Sequence, residues 1–113
     1  MRASKPAVIV ALAALSLASV AVAAGRANPN RGKALYKASC KVCHAKGGEA
    51  RDLTPLSKTQ VQWQKFFRTS AAACAKRAEA KTGKPVTADD LADMELFLVS
   101  HAADSDQPET CGQ

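Results

Sequence analysis

Aromatic side chains are scarce in this sequence: its 113 residues include one Trp, one Tyr and three Phe. A small domain buries little apolar surface, so one with so few large side chains needs a further source of stability, such as a cofactor, a metal or disulfides. Strand-like alternation of apolar and polar residues is also missing, which argues against a β-sandwich or a β-barrel. The pattern favours a small helical domain that folds around something other than its own core.

A long apolar run occurs only at the N-terminus. Basic residues precede an apolar stretch over 7–20, and small residues that provide a cleavage pattern follow it. These features are typical of a secretory signal peptide, which we assign to residues 1–24. An uncleaved membrane anchor is the alternative, because the stretch approaches the roughly 20 residues needed to span a bilayer. We therefore expect one exported, periplasmic domain over residues 25–113, which meets a membrane only if its N-terminal segment is retained.

Acidic residues are rare in the first part of this domain. Residues 26–84 hold 14 basic and three acidic residues, whereas residues 85–113 hold seven acidic residues and no basic ones. Such a dipole can steer a small protein toward an oppositely charged patch on a partner. Nucleic acid is not the expected partner, because export and the missing aromatic–basic interleaving argue against it.

Helix signals predict an all-α domain of three or four helices. Capping residues precede helix-favouring segments at three places, namely Asn28 with Pro29, Thr59, and Thr87 with Asp90. The first of these helices leads directly into a pair of cysteines. Residues 71–81 have a helix-favouring composition but little apolar periodicity, so their order is not determined by the pattern.

The segment Cys40-Lys41-Val42-Cys43-His44 carries the chemistry. Two thiols at this spacing can add to the two vinyl groups on one edge of a porphyrin, and the histidine that follows can reach the iron. We therefore predict one haem c, attached through Cys40 and Cys43, with His44 as the proximal iron ligand. A thioredoxin-like pair needs a βαβ pattern that is missing, and zinc ligand pairs are not normally adjacent Cys-His. A disulfide across so tight a loop would restrict the unfolded chain little.

Around this motif, over roughly residues 30–100, the sequence resembles the class I cytochromes c. In that family a glycine and an aromatic residue, eight and four positions before the first cysteine, pack against an aromatic residue of the last helix. Gly32, Tyr36 and Phe97 match these positions. The resemblance implies a small class I cytochrome c fold of three to four helices around one haem.

The resemblance has two further implications near the haem. A proline after the motif, here Pro55, would offer its carbonyl to the ring N–H of His44 and so orient the ligand. Trp63 is either the tryptophan that the family often places near the haem propionates or a plain helix-core residue.

The expected sixth iron ligand, a methionine before the last helix, is missing. Residues 69–86 contain no Met, His or Asn. Met94 matches a helix-packing position, and His101 is either a ligand or a histidine at a helix end, where the dipole favours positive charge. Lysines would have to lose a proton to bind iron. The candidates left open are His101, Met94, one of Lys76, Lys81 and Lys84, or no protein ligand.

Two cysteines lie outside the motif. In an oxidising compartment Cys74 and Cys111 most simply pair with each other, and such a disulfide would contribute roughly 2–4 kcal/mol. Intermolecular pairing through Cys111 and a thiolate ligand from Cys74 are the alternatives.

The leading functional hypothesis is an electron carrier of the cell envelope that is not itself an enzyme. Lys37, Lys41 and Lys46 would then surround the haem edge and face an acidic patch on a redox partner. One alternative is an open-coordination haem that binds a small gas ligand. Another is a haem-bearing subunit of a larger oxidoreductase.

Overall fold

The computed structural model describes residues 26–109, so the predicted signal peptide and Cys111 lie outside the described residues. Four α-helices follow one another: α1 (Pro29–Ser39), α2 (Gln60–Thr69), α3 (Ala71–Thr82) and α4 (Ala88–Ser100). A 3-10 helix over Pro55–Ser57 precedes α2, and the described part contains no strand. The predicted all-α class is confirmed. Within residues 26–109, no helix has the length and apolar character needed to cross a bilayer.

The helices begin where the capping residues predict. The Asn28 side chain accepts hydrogen bonds from the backbone N–H groups of α1, and Thr59 and Thr87 form capping boxes for α2 and α4. The segment that the pattern left undetermined is a regular helix, α3. It ends at Gly83, whose φ of 71° is the left-handed conformation that glycine adopts without a Cβ penalty.

The core forms where α1 and α2 pack against α4. Its buried members are Tyr36, Trp63, Met94, Phe97, Leu98 and Ala102. The rings of Tyr36 and Phe97 lie 6.0 Å apart between centroids, so the predicted contact between the first and last helices is confirmed. Gly32 makes this contact possible: a Cβ at that position would lie 1.9 Å from the backbone oxygen of Asp93.

Charged side chains also connect α1 and α4 where these helices cross. The Arg31 guanidinium donates to the carboxylates of both Asp90 and Asp93, which are buried. The backbone N–H of Asn28 donates to Asp93 at 2.8 Å. The acidic C-terminal part of the chain therefore folds back onto the basic N-terminal part, and the charge asymmetry of the sequence is partly neutralised inside the domain.

These carboxylates make the stability of the domain depend on pH. The pKa of Asp93 is lowered, chiefly by the hydrogen bond from the backbone N–H of Asn28 and next by Arg31. The pKa of Asp90 is lowered chiefly by the backbone N–H of Thr87. Because both folded-state pKa values lie below the unfolded value of about 3.9, the stabilisation is fully present above that pH. It is lost as the pH falls through the folded-state values.

The substitution Asp93→Asn is therefore expected to destabilise the protein at about pH 7 and to destabilise it less at about pH 3, below the unfolded-state pKa. Urea unfolding followed by circular dichroism at both pH values measures this difference. Asp89→Asn, at an exposed position on the first turn of α4, is the matched control and is expected to change stability little at either pH. If the difference in unfolding free energy between Asp93→Asn and wild type is equal at both pH values, ionised Asp93 is not the source of the pH dependence.

Candidate functional site

A cavity of about 330 Å³ lies between the cysteine-histidine motif and helices α2, α3 and α4. Cys40, Cys43 and His44 all line it. Its volume falls within the range of small-molecule and cofactor sites, which are concave and mostly apolar. The structure thus brings the three predicted site residues together in one cavity.

The end of α1 places these three side chains. Cys40 is the C-cap of α1, and its backbone N–H donates to the Tyr36 carbonyl at 2.9 Å. The backbone N–H groups of Cys43 and His44 then both donate to the Cys40 carbonyl, at 3.3 and 3.0 Å. This tight turn continues the helical direction for one more turn, so residues three and four positions apart face the same cavity.

Burial keeps the Cys40 thiol protonated. Desolvation raises the pKa of Cys40 to about 12, with smaller contributions from the neighbouring thiols of Cys74 and Cys43. Within residues 26–109, no group of three or more His, Cys, Asp or Glu side chains is arranged to hold a metal ion by itself. The described residues therefore form no zinc site of the kind weighed from the sequence.

His44 is oriented by a backbone carbonyl. Its Nδ1 lies 2.8 Å from the Arg51 carbonyl oxygen, which can only accept, so Nδ1 donates, and in the neutral ring Nε2 keeps its lone pair. That tautomer is the one a metal-binding histidine needs. The expectation that Pro55 supplies this carbonyl is wrong: the Leu53 N–H donates to the His44 carbonyl at 3.0 Å and holds the preceding residues against the ring.

The Pro55 carbonyl has another partner. It accepts from the indole Nε1–H of Trp63 at 2.9 Å, and the Trp63 side chain is 1% exposed. Trp63 therefore belongs to the helix core and also forms part of the cavity wall. The rings of Phe66 and Phe67 continue that wall from α2, with Phe66 edge-on to Trp63 at 5.8 Å between centroids.

Helix α3 supplies a wall of small side chains that the sequence pattern did not reveal. Its small cavity-lining residues are Ala71, Cys74, Ala75 and Ala78, and the longer Arg77 and Lys81 also line the cavity from this helix. Their spacing of three and four residues is helical, but alanine is weakly hydrophobic and also common on helix surfaces, so the periodicity is faint. Small side chains along one wall leave room for a flat group to lie against the helix.

The candidate sixth ligands are not equivalent in the structure. His101 does not line the cavity: its Nδ1 lies 2.7 Å from the Gln107 carbonyl oxygen, and its ring packs on Phe97. Lys81 lines the cavity but binds Glu49, whereas Lys76 and Lys84 do not line it. Two sulfur atoms remain in the cavity outside the motif, those of Met94 and Cys74.

The predicted disulfide is not seen among the described residues. Cys74 is a free thiol, and its predicted partner, Cys111, lies outside residues 26–109. The pairing of these two cysteines stays a prediction.

One of the three lysines expected around the site is engaged within the chain. Lys41 donates to the Asp52 carboxylate at 2.6 Å and to the Leu53 carbonyl at 2.9 Å, and its side chain is 18% exposed. Lys41 therefore stabilises the loop that follows the motif and does not face a partner, because that loop folds back over it. Lys37 and Lys46 are exposed.

The site meets the requirements of a covalently bound haem. Two thiols and one imidazole line the same cavity, and most of the remaining lining is apolar. The charged side chains that also line it are those of Glu49, Arg77 and Lys81. Within residues 26–109, the side-chain donors alone are too few to hold a metal ion without a macrocycle.

Comparison with known proteins agrees with this chemistry. The family model described as "Cytochrome C oxidase, cbb3-type, subunit III" matches residues 27–98. That range begins one residue before the α1 N-cap, Asn28, and includes every residue that lines the cavity. No curated protein and no solved structure matches the chain.

Proposed function

We propose that this chain, which belongs to the c-type cytochrome family described as cytochrome c oxidase, cbb3-type, subunit III, is an exported mono-haem electron carrier of the cell envelope. Membership of that family implies a haem-binding protein of electron transfer, either a carrier or part of an oxidase. The observation that supports the proposal most strongly is the convergence of Cys40, Cys43 and His44 on one apolar cavity.

Each residue of the site has a role under this proposal. Cys40 and Cys43 would form the two thioether bonds, and His44 would bind the iron through Nε2. The haem, when bound, supplies one-electron iron chemistry. The helices that line the cavity would hold the haem, and the aromatic side chains of Trp63, Phe66 and Phe67 would exclude water from part of the site. The protein performs no catalytic reaction of its own.

The proposed location is the periplasm. Residues 1–24 have the pattern of a signal peptide, and c-type cytochrome domains typically face the periplasm or the cell exterior. An oxidising compartment also suits the proposed Cys74–Cys111 disulfide.

Exposed Lys37 and Lys46 would guide redox partners with acidic patches. The double substitution Lys37→Gln, Lys46→Gln is expected to slow oxidation of the reduced protein by ferricyanide, an anion, by roughly threefold to tenfold at low ionic strength. The effect should fade toward physiological salt, where the Debye length shrinks to about 8 Å. Stopped-flow kinetics over a salt series measures this change.

Lys65→Gln provides the matched control, because Lys65 is exposed on α2 and not next to the motif. It should change the ferricyanide rate less than the double substitution. A cationic cobalt complex as oxidant should react faster with the double variant than with wild type. Equal rates for wild type and the double variant at every salt concentration would refute steering by these lysines.

A haem-bearing subunit of an oxidase is the second candidate, and the family description favours it. Cell fractionation with haem staining distinguishes a free electron carrier from an oxidase subunit. A carrier is recovered in the soluble periplasmic fraction as a single chain, whereas an oxidase subunit is recovered with membrane proteins in a larger complex.

Absorption spectra of the purified protein, oxidised and reduced, test the carrier function itself. A reversible redox change and a low-spin oxidised haem support a carrier, because both axial positions are then filled. A high-spin oxidised haem whose reduced spectrum shifts with carbon monoxide would support a gas-binding protein instead.

A further inference from the structure

The cavity has one charged side that faces solvent. The three charged side chains that line it are those of Glu49, Arg77 and Lys81, and all three are exposed. Every other lining residue is buried or half-buried, and Trp63 and Met94 are only 1% and 2% exposed. The cavity therefore has an apolar interior and opens to solvent beside these three charges.

A haem is divided in the same way. Its ring and its vinyl edge are apolar, whereas the opposite edge carries two propionates, which are ionised carboxylates at about pH 7. Moving a carboxylate out of water is costly unless a cation or hydrogen-bond donors lie beside it. A haem attached through Cys40 and Cys43 is therefore most stable with its propionates at the exposed side of the cavity, where the cations are.

Of the two cations on that side, Arg77 is the one without a partner. The ammonium group of Lys81 is paired with Glu49. Within residues 26–109, the Arg77 guanidinium takes part in no ion pair and no hydrogen bond. A guanidinium presents its N–H donors in a planar fork that matches the two oxygens of a carboxylate.

The neutral donors of the cavity wall are already used within the chain. The indole Nε1–H of Trp63 donates to the Pro55 carbonyl at 2.9 Å, and the hydroxyl of Tyr36 donates to the Leu53 carbonyl. The tryptophan N–H that the family resemblance offers to the propionates is therefore engaged elsewhere in this chain.

We propose that the Arg77 guanidinium binds a propionate of the haem and so positions the charged edge of the ring. The proposal rests on haem attachment at the motif, as set out under the proposed function. It requires nothing of Cys74, so it is compatible with the proposed Cys74–Cys111 disulfide.

Proton NMR of the oxidised holoprotein observes the propionates directly, because the ferric iron shifts haem resonances away from those of the protein. A titration from about pH 4 to about pH 8 gives the propionate pKa values. Arg77→Gln is expected to raise the pKa of one propionate, with an about tenfold gain in proton affinity. This is the lower end of the usual effect of an opposite charge, because Arg77 is exposed. Arg77→Lys keeps the charge and should give a smaller shift.

Lys76→Gln is the matched control, because it removes the same charge from α3 at an exposed position that does not line the cavity. It should leave both propionate pKa values unchanged. Lys81→Gln should shift them less than Arg77→Gln, since Lys81 is paired with Glu49. Equal shifts in Lys76→Gln and Arg77→Gln, or no shift in Arg77→Gln, would overturn the proposal, and a larger shift in Lys81→Gln would overturn it in favour of Lys81.

Mass spectrometry of the same samples separates failure of this contact from failure of the proposed function. If each chain carries one covalent haem but Arg77→Gln leaves the propionate pKa values unchanged, Arg77 does not bind a propionate and the carrier proposal stands. If the purified wild-type chain carries no covalent haem, the proposed function fails as well.

Discussion

The double substitution Cys40→Ala, Cys43→Ala is expected to abolish covalent haem binding. Each thiol lines the cavity beside His44, and each would form one of the two bonds that tether the porphyrin. Without them only axial coordination and apolar contact would hold the haem, and acidified acetone extracts haem held in that way. Haem staining of denaturing gels and intact-protein mass report the loss.

The same variant is expected to lose its stable fold. An unfilled cavity of about 330 Å³ corresponds to about 8 kcal/mol at ~24 cal/mol per Å³, as an upper bound because the cavity is open to solvent. A typical domain has only about 5–15 kcal/mol of stability in total. Far-ultraviolet circular dichroism should therefore show a marked loss of helix relative to the holoprotein.

Cys111→Ala is the control for removal of a cysteine and should retain one covalent haem per chain. Single substitutions at Cys40 or Cys43 should leave one thioether, with lower holoprotein yield and a shifted absorption spectrum. Full covalent haem content in the double variant would contradict the assignment of the motif.

Gly32→Ala is expected to destabilise the protein by about 2 kcal/mol. A Cβ at this position would lie 1.9 Å from the backbone oxygen of Asp93 and 2.5 Å from its carbonyl carbon, so α1 and α4 would have to move apart. Overpacking of this kind costs about 3 kcal/mol at the upper end of its usual range. That cost exceeds the roughly 1 kcal/mol that alanine gains over glycine inside a helix.

Urea unfolding of the holoprotein measures this effect. Ala34→Gly, at an exposed position of α1, is the matched control and isolates helix propensity, with an expected loss of about 1 kcal/mol. The two substitutions change propensity in opposite directions, so steric contact alone can make Gly32→Ala destabilising. A Gly32→Ala variant as stable as wild type would show that α1 and α4 can separate without loss.

Local signals in the sequence predicted most of the fold. Asn28, Thr59 and Thr87 cap their helices because a side-chain oxygen satisfies N–H groups within a few residues, and such interactions depend on adjacent residues only. The contact of Tyr36 with Phe97 was predicted as well, from the family resemblance. Spacing within the motif was enough to predict that Cys40, Cys43 and His44 share one site.

Features that depend on tertiary packing were not predicted. The carbonyl that orients His44 belongs to Arg51 and not to Pro55. The path of the loop depends on bonds to residues outside it, because Tyr36 and Lys41 both donate to the Leu53 carbonyl. Lys41 was expected to face a redox partner. Its bonds to Asp52 and to the Leu53 carbonyl depend on how the loop folds, which the distribution of charged residues along the sequence does not reveal. The cavity face of α3 consists largely of alanines, whose burial follows from their neighbours and not from their own hydrophobicity.

The crossing of α1 and α4 joins the two ends of the described chain, since Asn28 and Asp93 are 65 residues apart. Contacts of such high sequence separation close late, because the entropy of the whole intervening loop is lost before they form. In a chain that crosses a membrane N-terminus first, α1 and its cysteines emerge before their packing partner. If the chain is exported and binds haem as proposed, the thiols would therefore stay accessible for haem attachment until α4 packs against α1.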